Sequence, residues 1–548
     1  MKRGWKNIAG ALLGITIVGV MFFANQLGVD NDPAWGLRRY ILFFFGIIII
    51  IVSILYREDN FIGRIFNTQT GQLYLASEVL ALFIILVYIW CITFGLWNIW
   101  PESTNYYDLL AISFSHGRLA LEVEPDPALL VLGNLYEPSN REGIPFPLDV
   151  TLYEGKYYLY WGPAPALLLS LIKPFYAPDL GDNIPTFIFT TGTFLFLALL
   201  ILELWKNYYP ETPRWAILLG IAFTGLVNPM LFVLLDARIY EAAIVSGQFF
   251  LVGGLYWLFT AFNRPSIARL SLAGIFFAFA VGSRMTLILP IAFLTFITLI
   301  WAIKSQRAKA FTFILAITLP LLLGAVGYAC YNYARFDSVT EFGFRYALTT
   351  YNLYESIDET FSFAYIPPNL FKTLLNPFES RNNSFPFIWP TRPIGLPPWL
   401  EGNYPKFYSS QLAEYITGIL IGSPFVIFAL IAGFRQKKDI QWIFISLAGS
   451  TLLIFLAMQF FFFTTMRYLL DLAPMLSLLA VIGFWQGLYL LQGHRVARFS
   501  LTILGIGLCV YTFFVSFLLT ISAHWKEFRA LNPVLLKQLI WIFNGLFK

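Results

Sequence analysis

Charge is what this sequence lacks. Only 12% of its 548 residues are Asp, Glu, Lys or Arg, while 58% are hydrophobic. Soluble globular domains carry about 25% charge, so this chain cannot clothe itself in a water-compatible surface. Runs of Lys and Arg are missing too. The net charge of +5 is spread in small groups between apolar segments, which excludes a nucleic-acid footprint. Cys91, Cys330 and Cys509 are the three cysteines, each in an apolar stretch, and they exclude a disulfide framework. His116, His494 and His524 lie far apart and give no metal-ligand spacing. No metal-ligating residues are identified, no cofactor is certain, and dependence on a divalent metal is left open. Long polar stretches are absent as well, so the length reads as one membrane body with loops rather than as several soluble domains.

What is present is apolar and aromatic. Aromatics reach 18%, with 56 Phe and 29 Tyr, the material of interfacial belts. A spanning helix needs about 20 apolar residues. Thirteen stretches qualify: 8–26, 39–56, 76–98, 184–205, 214–235, 240–262, 268–282, 286–303, 310–330, 414–433, 440–462, 466–490 and 499–521. Two of them, 268–282 and 286–303, are short for independent crossings. Lys2, Arg3 and Lys6 precede the first run, but it is long and no small-x-small cleavage site follows, so it reads as a retained helix. The expected fold class is an all-α integral membrane protein with about thirteen transmembrane helices. Residues 1–73 form an N-terminal transmembrane hairpin and cytoplasmic loop, 74–521 the transmembrane core, and 522–548 an interfacial tail.

Orientation follows from the short loops. With the N-terminus cytoplasmic, the inner segments hold Arg57, Arg64, Lys206, Arg214, Arg264, Arg269, Lys304, Arg307, Lys309, Arg435, Lys437, Lys438, Arg495 and Arg498. The short outer loops hold only Arg38, Arg39, Arg238, Arg284 and Arg467. Two long loops, 97–183 and 331–413, then lie outside. Loops of this length are functional or disordered, and both are studded with Tyr, Trp, Phe and Pro, so they are expected to fold against the outer face. The apolar run 162–175 is too short to span and reads as an interfacial helix. In the tail, Leu535, Leu536, Leu539, Ile540, Ile542 and Phe543 form one face of a surface helix resting on lipid. Without eukaryotic sorting signals, the expected home is a bacterial inner membrane.

Chemistry is concentrated in the outer segments. Most of the first loop's carboxylates belong to a solvated surface. Asp108, among Tyr106, Tyr107, Leu109 and Leu110 just past a membrane exit, stands apart, because a desolvated carboxylate has a raised pKa and can act as a base. Glu154-Gly155-Lys156 reads as a tight turn between two Tyr-rich strands, facing Asp149 and Lys156 into one pocket. Asp236 and Glu241 flank a helix entrance, with Arg238 close by as a partner for Glu241. Arg284, between two short spans, needs an anion. A phosphate matches its guanidinium bidentately, and a structural ion pair is the competing reading. Arg345 and Arg467 are further outer cations, and Arg467 with Asp471 reads as an i,i+4 pair.

In order along the chain, these pieces carry a resemblance. They are Tyr107-Asp108-Leu109-Leu110-Ala111 through His116-Gly117-Arg118-Leu119, and Tyr153-Glu154-Gly155-Lys156-Tyr157-Tyr158 running into Gly162-Pro163-Ala164-Pro165-Ala166-Leu167. Further on come the stretch from Gly274 to Arg284 ahead of Pro290, and Arg467-Tyr468 opening a late span. Over residues 74–520 the chain resembles the polytopic glycosyltransferases of the GT-C superfamily. Its pattern is most similar to glycosyltransferase family 39, the protein mannosyltransferase and aminoarabinose transferase-like group. The resemblance implies a GT-C-like core whose large first outer loop carries interfacial helices, and a cavity open to the bilayer. It also implies a polyprenyl-phosphate or dolichyl-phosphate sugar donor and transfer to an acceptor hydroxyl with inversion. The acceptor, whether glycan, lipid or protein, is not identified. The implied base is Glu102, Asp108 or Asp149, and the implied substrate-binding residues are Arg284, Lys156, Arg118, Glu241, Arg345 and Arg467. The sequence departs from the family in two places: the acidic pair after the first core helix is replaced by Pro101-Glu102-Ser103-Thr104-Asn105, and the Pro-Pro-Leu element by Pro163-Ala164-Pro165. Two other classes remain open, a transporter or flippase and a non-catalytic protein that binds lipid-linked glycan.

Overall fold

The computed structural model describes residues 5–27, 35–55, 67–381, 384–392, 414–433 and 440–546. The chain divides into two compact units, 1–80 and 81–548. In the first, helices α1 (Trp5–Phe22) and α2 (Leu37–Leu55) pack through small residues. A Cβ on Gly14 would meet the Gly46 carbonyl oxygen at 2.7 Å, and one on Gly10 would meet the Ser53 hydroxyl. Lipid offers no hydrophobic drive for helix pairing, so close backbone approach over small residues is how such pairs hold. Helix α3 (Gln69–Ile92) contains the division between the units.

The second unit is a helical bundle carrying two folded loops at one end. Its first loop holds α4 (Tyr106–Ser115), the hairpin β1 (Thr151–Tyr153) and β2 (Lys156–Tyr158), and α5 (Ala164–Ser170). The bundle continues with α6 (Asn183–Tyr208), α7 (Arg214–Leu226), α8 (Ile239–Asn263), α9 (Ile267–Ser283), α10 (Ile288–Ser305) and α11 (Ala310–Phe336). The second loop contributes α12 (Ile366–Leu375) and the hairpin β3 (Phe378–Ser380) and β4 (Ile388–Pro390). The chain closes with α13 (Gln441–Gln459), α14 (Ala473–Leu490), α15 (Arg495–Ala523), α16 (Trp525–Leu531) and α17 (Pro533–Leu546).

Among the described residues, eight helices are long and apolar enough to cross a membrane, and four shorter helices are also apolar. This is an α-helical integral membrane protein. The expected span 414–433 is corrected. It is a short helix, Ile419–Gly422, followed by a 3-10 run, Pro424–Ile431. Pro424 has no N–H for a continuous α-helix. Gly418 lies against backbone of Leu374 and Leu375, where a Cβ would come within 2.4 Å. Two other spans are shorter as helices than their hydropathy. Helix α7 stops at Leu226 ahead of Pro229, and the stretch before α14 is a 3-10 turn, Met466–Asp471.

The two loops pack on each other at the same end of the bundle, as their parity requires. Thr151 bridges to Ala347, the Asp149 N–H donates to the Leu348 carbonyl at 2.9 Å, and the Leu348 N–H donates to Val150 at 2.9 Å. Buried Arg141 donates to the Thr349 carbonyl at 2.7 Å. The first loop has an apolar core of its own. Tyr107, Leu110, Val150, Leu152, Tyr157 and Trp161 pack with Ile239 and Ala242 of α8 and with Leu348. It is therefore a folded cap anchored to the head of α8. Gly162 seats it on α9, where a Cβ would meet the Gly282 carbonyl oxygen at 2.1 Å. The interfacial helix expected at 162–175 is the seven-residue α5. It buries Ala164, Ala166 and Leu169, while the turn after it exposes Leu171 and Phe175.

The tail is docked at its end. Asn544 accepts from the Phe385 N–H at 2.8 Å, and the Phe543 ring stacks on Phe385 at 5.0 Å. Leu536 is buried, whereas Val534, Trp541 and Ile542 are exposed. The expected apolar face is thus shared between the second loop and the surroundings.

Candidate active site

The head of α8 is where the first loop, the second loop and the bundle meet. Thr104 accepts from the Ile239 N–H at 2.9 Å and donates to Asp182 at 2.5 Å. Asp182 accepts from the N–H groups of Tyr106 and Tyr107 at 3.0 and 3.1 Å, capping the otherwise unpaired start of α4. Burial pushes the Asp182 carboxyl up to about 6, against the hydrogen bonds it accepts. One aspartate therefore fixes the entry of α4 and, through Thr104, the entry of α8.

Beside this junction lies a cavity of about 340 Å³ lined by Ser103, Thr104, Tyr106, Leu148, Arg238, Ile239 and Tyr240. Tyr240 donates its hydroxyl to the Asp149 carboxylate. Asp149 has φ +61°, in the left-handed region that Asp tolerates better than most side chains. The backbone pairing of Asp149 and Val150 with Leu348 holds it there. Burial raises the Asp149 pKa, against the lowering effects of the Tyr240 hydrogen bond and the Arg467 charge. Aromatic rings wall the site. Trp161 stacks on Tyr160 at 4.1 Å and on Tyr106 at 6.4 Å, and meets Tyr240 edge-on at 5.5 Å.

Two guanidiniums lie in the bundle below. Arg467 sits 4.8 Å over the Tyr240 ring, pairs with Glu414 at 2.5 and 3.1 Å, and has Glu241 4.0 Å away. Arg284 donates from Nε to both Asp471 oxygens at 2.9 and 2.8 Å, with Nη2 2.6 Å from Oδ2. Its guanidinium lies 5.2 Å from the Tyr468 ring, and Gln248 reaches Asp471 at 3.3 Å. The expected Arg467–Asp471 pair is not formed. In the 3-10 turn Met466–Asp471, with about three residues per turn, positions four apart leave the shared face they have in an α-helix. Arg467 turns to Glu414 and Asp471 to Arg284. Arg284 thus meets an anion inside the bundle, the ion pair that was the competing reading of this residue.

The structure gathers some of the sequence-derived residues and disperses others. Asp149, Glu241 and Arg467 come together around Tyr240, with Glu414 joining them. Asp108 is almost fully buried, as expected, but Lys173 lies 2.8 Å from its carboxylate, so it is a paired anion rather than a lone base. Glu102 is exposed beside Gly181, next to Ser103 at the cavity edge. Lys156 is exposed at the turn end of the β1–β2 hairpin, whose register pairs it with Tyr153, while Asp149 precedes the open end, so the shared pocket is not formed. Arg118 is exposed and pairs with Glu122 at 3.4 Å. Arg345 is half-buried in the turn Phe344–Tyr346. Glu241 accepts from the Arg238 backbone N–H at 3.1 Å, whereas the Arg238 guanidinium goes to Asp236 at 2.5 Å. Sequence reasoning missed Tyr240, Glu414, Asp182 and Lys173 as partners. Only Tyr240, one residue from Glu241 at a helix entrance, carried a local signal. Among the described residues no cluster of His, Cys, Asp or Glu is arranged to hold a metal ion.

No protein-family model matches the chain, and no curated protein matches it. Among solved structures, ArnT from Cupriavidus metallidurans bound to undecaprenyl phosphate is similar at 11% sequence identity, over 84% of this chain and 79% of that one, with a TM-score of 0.42.

Proposed function

We propose that this protein is a membrane glycosyltransferase that moves a sugar from a polyprenyl-phosphate donor to an acceptor hydroxyl, inverting the anomeric centre. The observation that carries the reading is the meeting of Asp149 with Tyr240 and Arg467. A half-buried carboxylate of the outer cap, with raised proton affinity, is bonded to Tyr240 of the cavity wall, whose ring lies under a guanidinium of the bundle rim. Transfer needs both groups. Asp149 takes the acceptor hydroxyl proton as that oxygen bonds to the anomeric carbon. The bond from that carbon to the phosphate oxygen breaks, and its electron pair leaves with the phosphate. The developing charge falls to Arg467, with Arg238 at the cavity. Lipid phosphate is a good leaving group, so no general acid is required.

The architecture supports the same reading. A donor whose tail stays in lipid calls for an enzyme that is mostly membrane helix. The cationic residues of the short connections, among them Arg264, Lys304, Arg307 and Arg495, lie at the end opposite the loops. By charge asymmetry the site then faces outward from a bacterial inner membrane. The test is transfer of radiolabelled sugar from a polyprenyl-phosphate donor by the purified protein in liposomes. Transfer that requires Asp149 and Arg467 is the expected result. Substrate uptake into the liposomes without transfer would overturn the reading in favour of a transporter.

A further inference from the structure

Tyrosines from both loops form a layered patch. Tyr136 and Tyr354 stack at 4.9 Å with planes 11° apart, and Tyr346 lies 5.9 and 5.8 Å from them. Tyr354 is 47% exposed, so the patch reaches solvent. Two amide–carboxylate pairs bracket it, each joining one loop to the other. The Asn134 amide donates to Glu355 at 3.0 Å, and the Asn352 amide to Glu137 at 3.2 Å. A solvent-facing aromatic plane flanked by amides and carboxylates is matched to a sugar ring. The apolar C–H face lies on the aromatic, and the equatorial hydroxyls find a donor and an acceptor at the rim.

The patch is also linked to the site. Leu348, whose carbonyl accepts from the Asp149 N–H at 2.9 Å, lies two residues from Tyr346, a reach of at most about 7 Å, and Tyr346 meets Tyr354 at 5.8 Å. A short oligosaccharide is long enough to bridge the two. We infer that the Tyr136–Tyr354 platform binds a saccharide, and that the acceptor is an oligosaccharide whose end lies at Asp149 while its inner rings lie on Tyr354. The second part rests on the transferase reading, and the first does not.

The experiment is binding of the full-length protein in lipid nanodiscs to an array of immobilised oligosaccharides, with no donor present. Wild type is expected to bind at least one saccharide. Tyr354→Ala is expected to weaken that binding at least tenfold, and Tyr354→Phe, which keeps the ring, to retain it. Glu355→Ala weakens it as well and, as a change at an exposed position, guards against misfolding. Absence of any binding by wild type, or binding by Tyr354→Ala equal to wild type, would overturn the platform. Saccharide binding that persists while the transfer assay is blank would overturn the transferase reading and leave the platform standing.

Discussion

The Tyr240 hydroxyl donates to the Asp149 carboxylate, tying the outer cap to the first turn of α8. This bond favours the charged form of Asp149. Tyr240→Phe removes the donor and keeps the ring beneath Arg467. The Asp149 pKa then rises further. The acid limb of the transfer rate against pH is expected to move to higher pH in this variant, and an unmoved limb would show that Asp149 is not the titrating base.

Arg284 and Asp471 close an ion pair in the bundle, with side chains only 16% and 4% exposed. Removing one partner of such a pair leaves a buried charge and is destabilising by about 3–5 kcal/mol. Arg284→Ala is therefore expected to lower the thermal unfolding midpoint in detergent sharply. Replacing both partners by apolar residues is expected to recover much of the loss. Full stability of the single variant would mean that the pair contributes nothing to folding.

Lys173 and Asp108 are paired even more deeply, at 6% and 1% exposure. The pair pins the segment after α5 to α4. Lys173→Ala is expected to destabilise by about 3–5 kcal/mol, and Asp108→Asn, which keeps the shape, by less. Asp108→Asn is expected to retain transfer in whatever fraction folds, measured as rate per folded molecule. A folded but inactive Asp108→Asn would return the base to this position.

How much of this was legible in the chain divides by distance along it. The helical body, the two loops on one end and the β1–β2 hairpin follow from local patterns of hydropathy, loop parity and a Gly-centred turn. The 414–433 stretch misled because its hydropathy matches a span, although Gly418, Gly422 and Pro424 spelled a break. The ion pairs were not legible. Asp108–Lys173, Arg467–Glu414 and Arg284–Asp471 close over 65, 53 and 187 residues. No periodicity encodes such partners. Sequence reasoning paired Arg467 with Asp471 because it assumed an α-helix where the chain makes a 3-10 turn.

Asp182 carries a pH signature. Its carboxyl is raised from 3.8 to about 6 by burial, so the folded state holds the proton more tightly than the unfolded one. The stability from that preference is fully present below about pH 4 and is lost as pH rises through about 6. Asp182→Asn keeps an acceptor for the α4 N–H groups and does not titrate. Between pH 4 and 6 the unfolding midpoint of wild type is expected to fall relative to that of Asp182→Asn, measured by differential scanning in detergent at several pH values. A constant difference across that window would contradict the shift.

The central claim is that the cap carboxylate bonded to Tyr240 takes the acceptor proton. Single-turnover transfer from a radiolabelled polyprenyl-phosphate sugar, with wild type, Asp149→Asn and Glu102→Gln at matched folded concentrations, tests it most directly. Asp149→Asn is expected to lose at least about 100-fold in rate with donor binding intact, and Glu102→Gln to stay within a few-fold of wild type. A wild-type rate from Asp149→Asn, or a blank from Glu102→Gln alone, would contradict it.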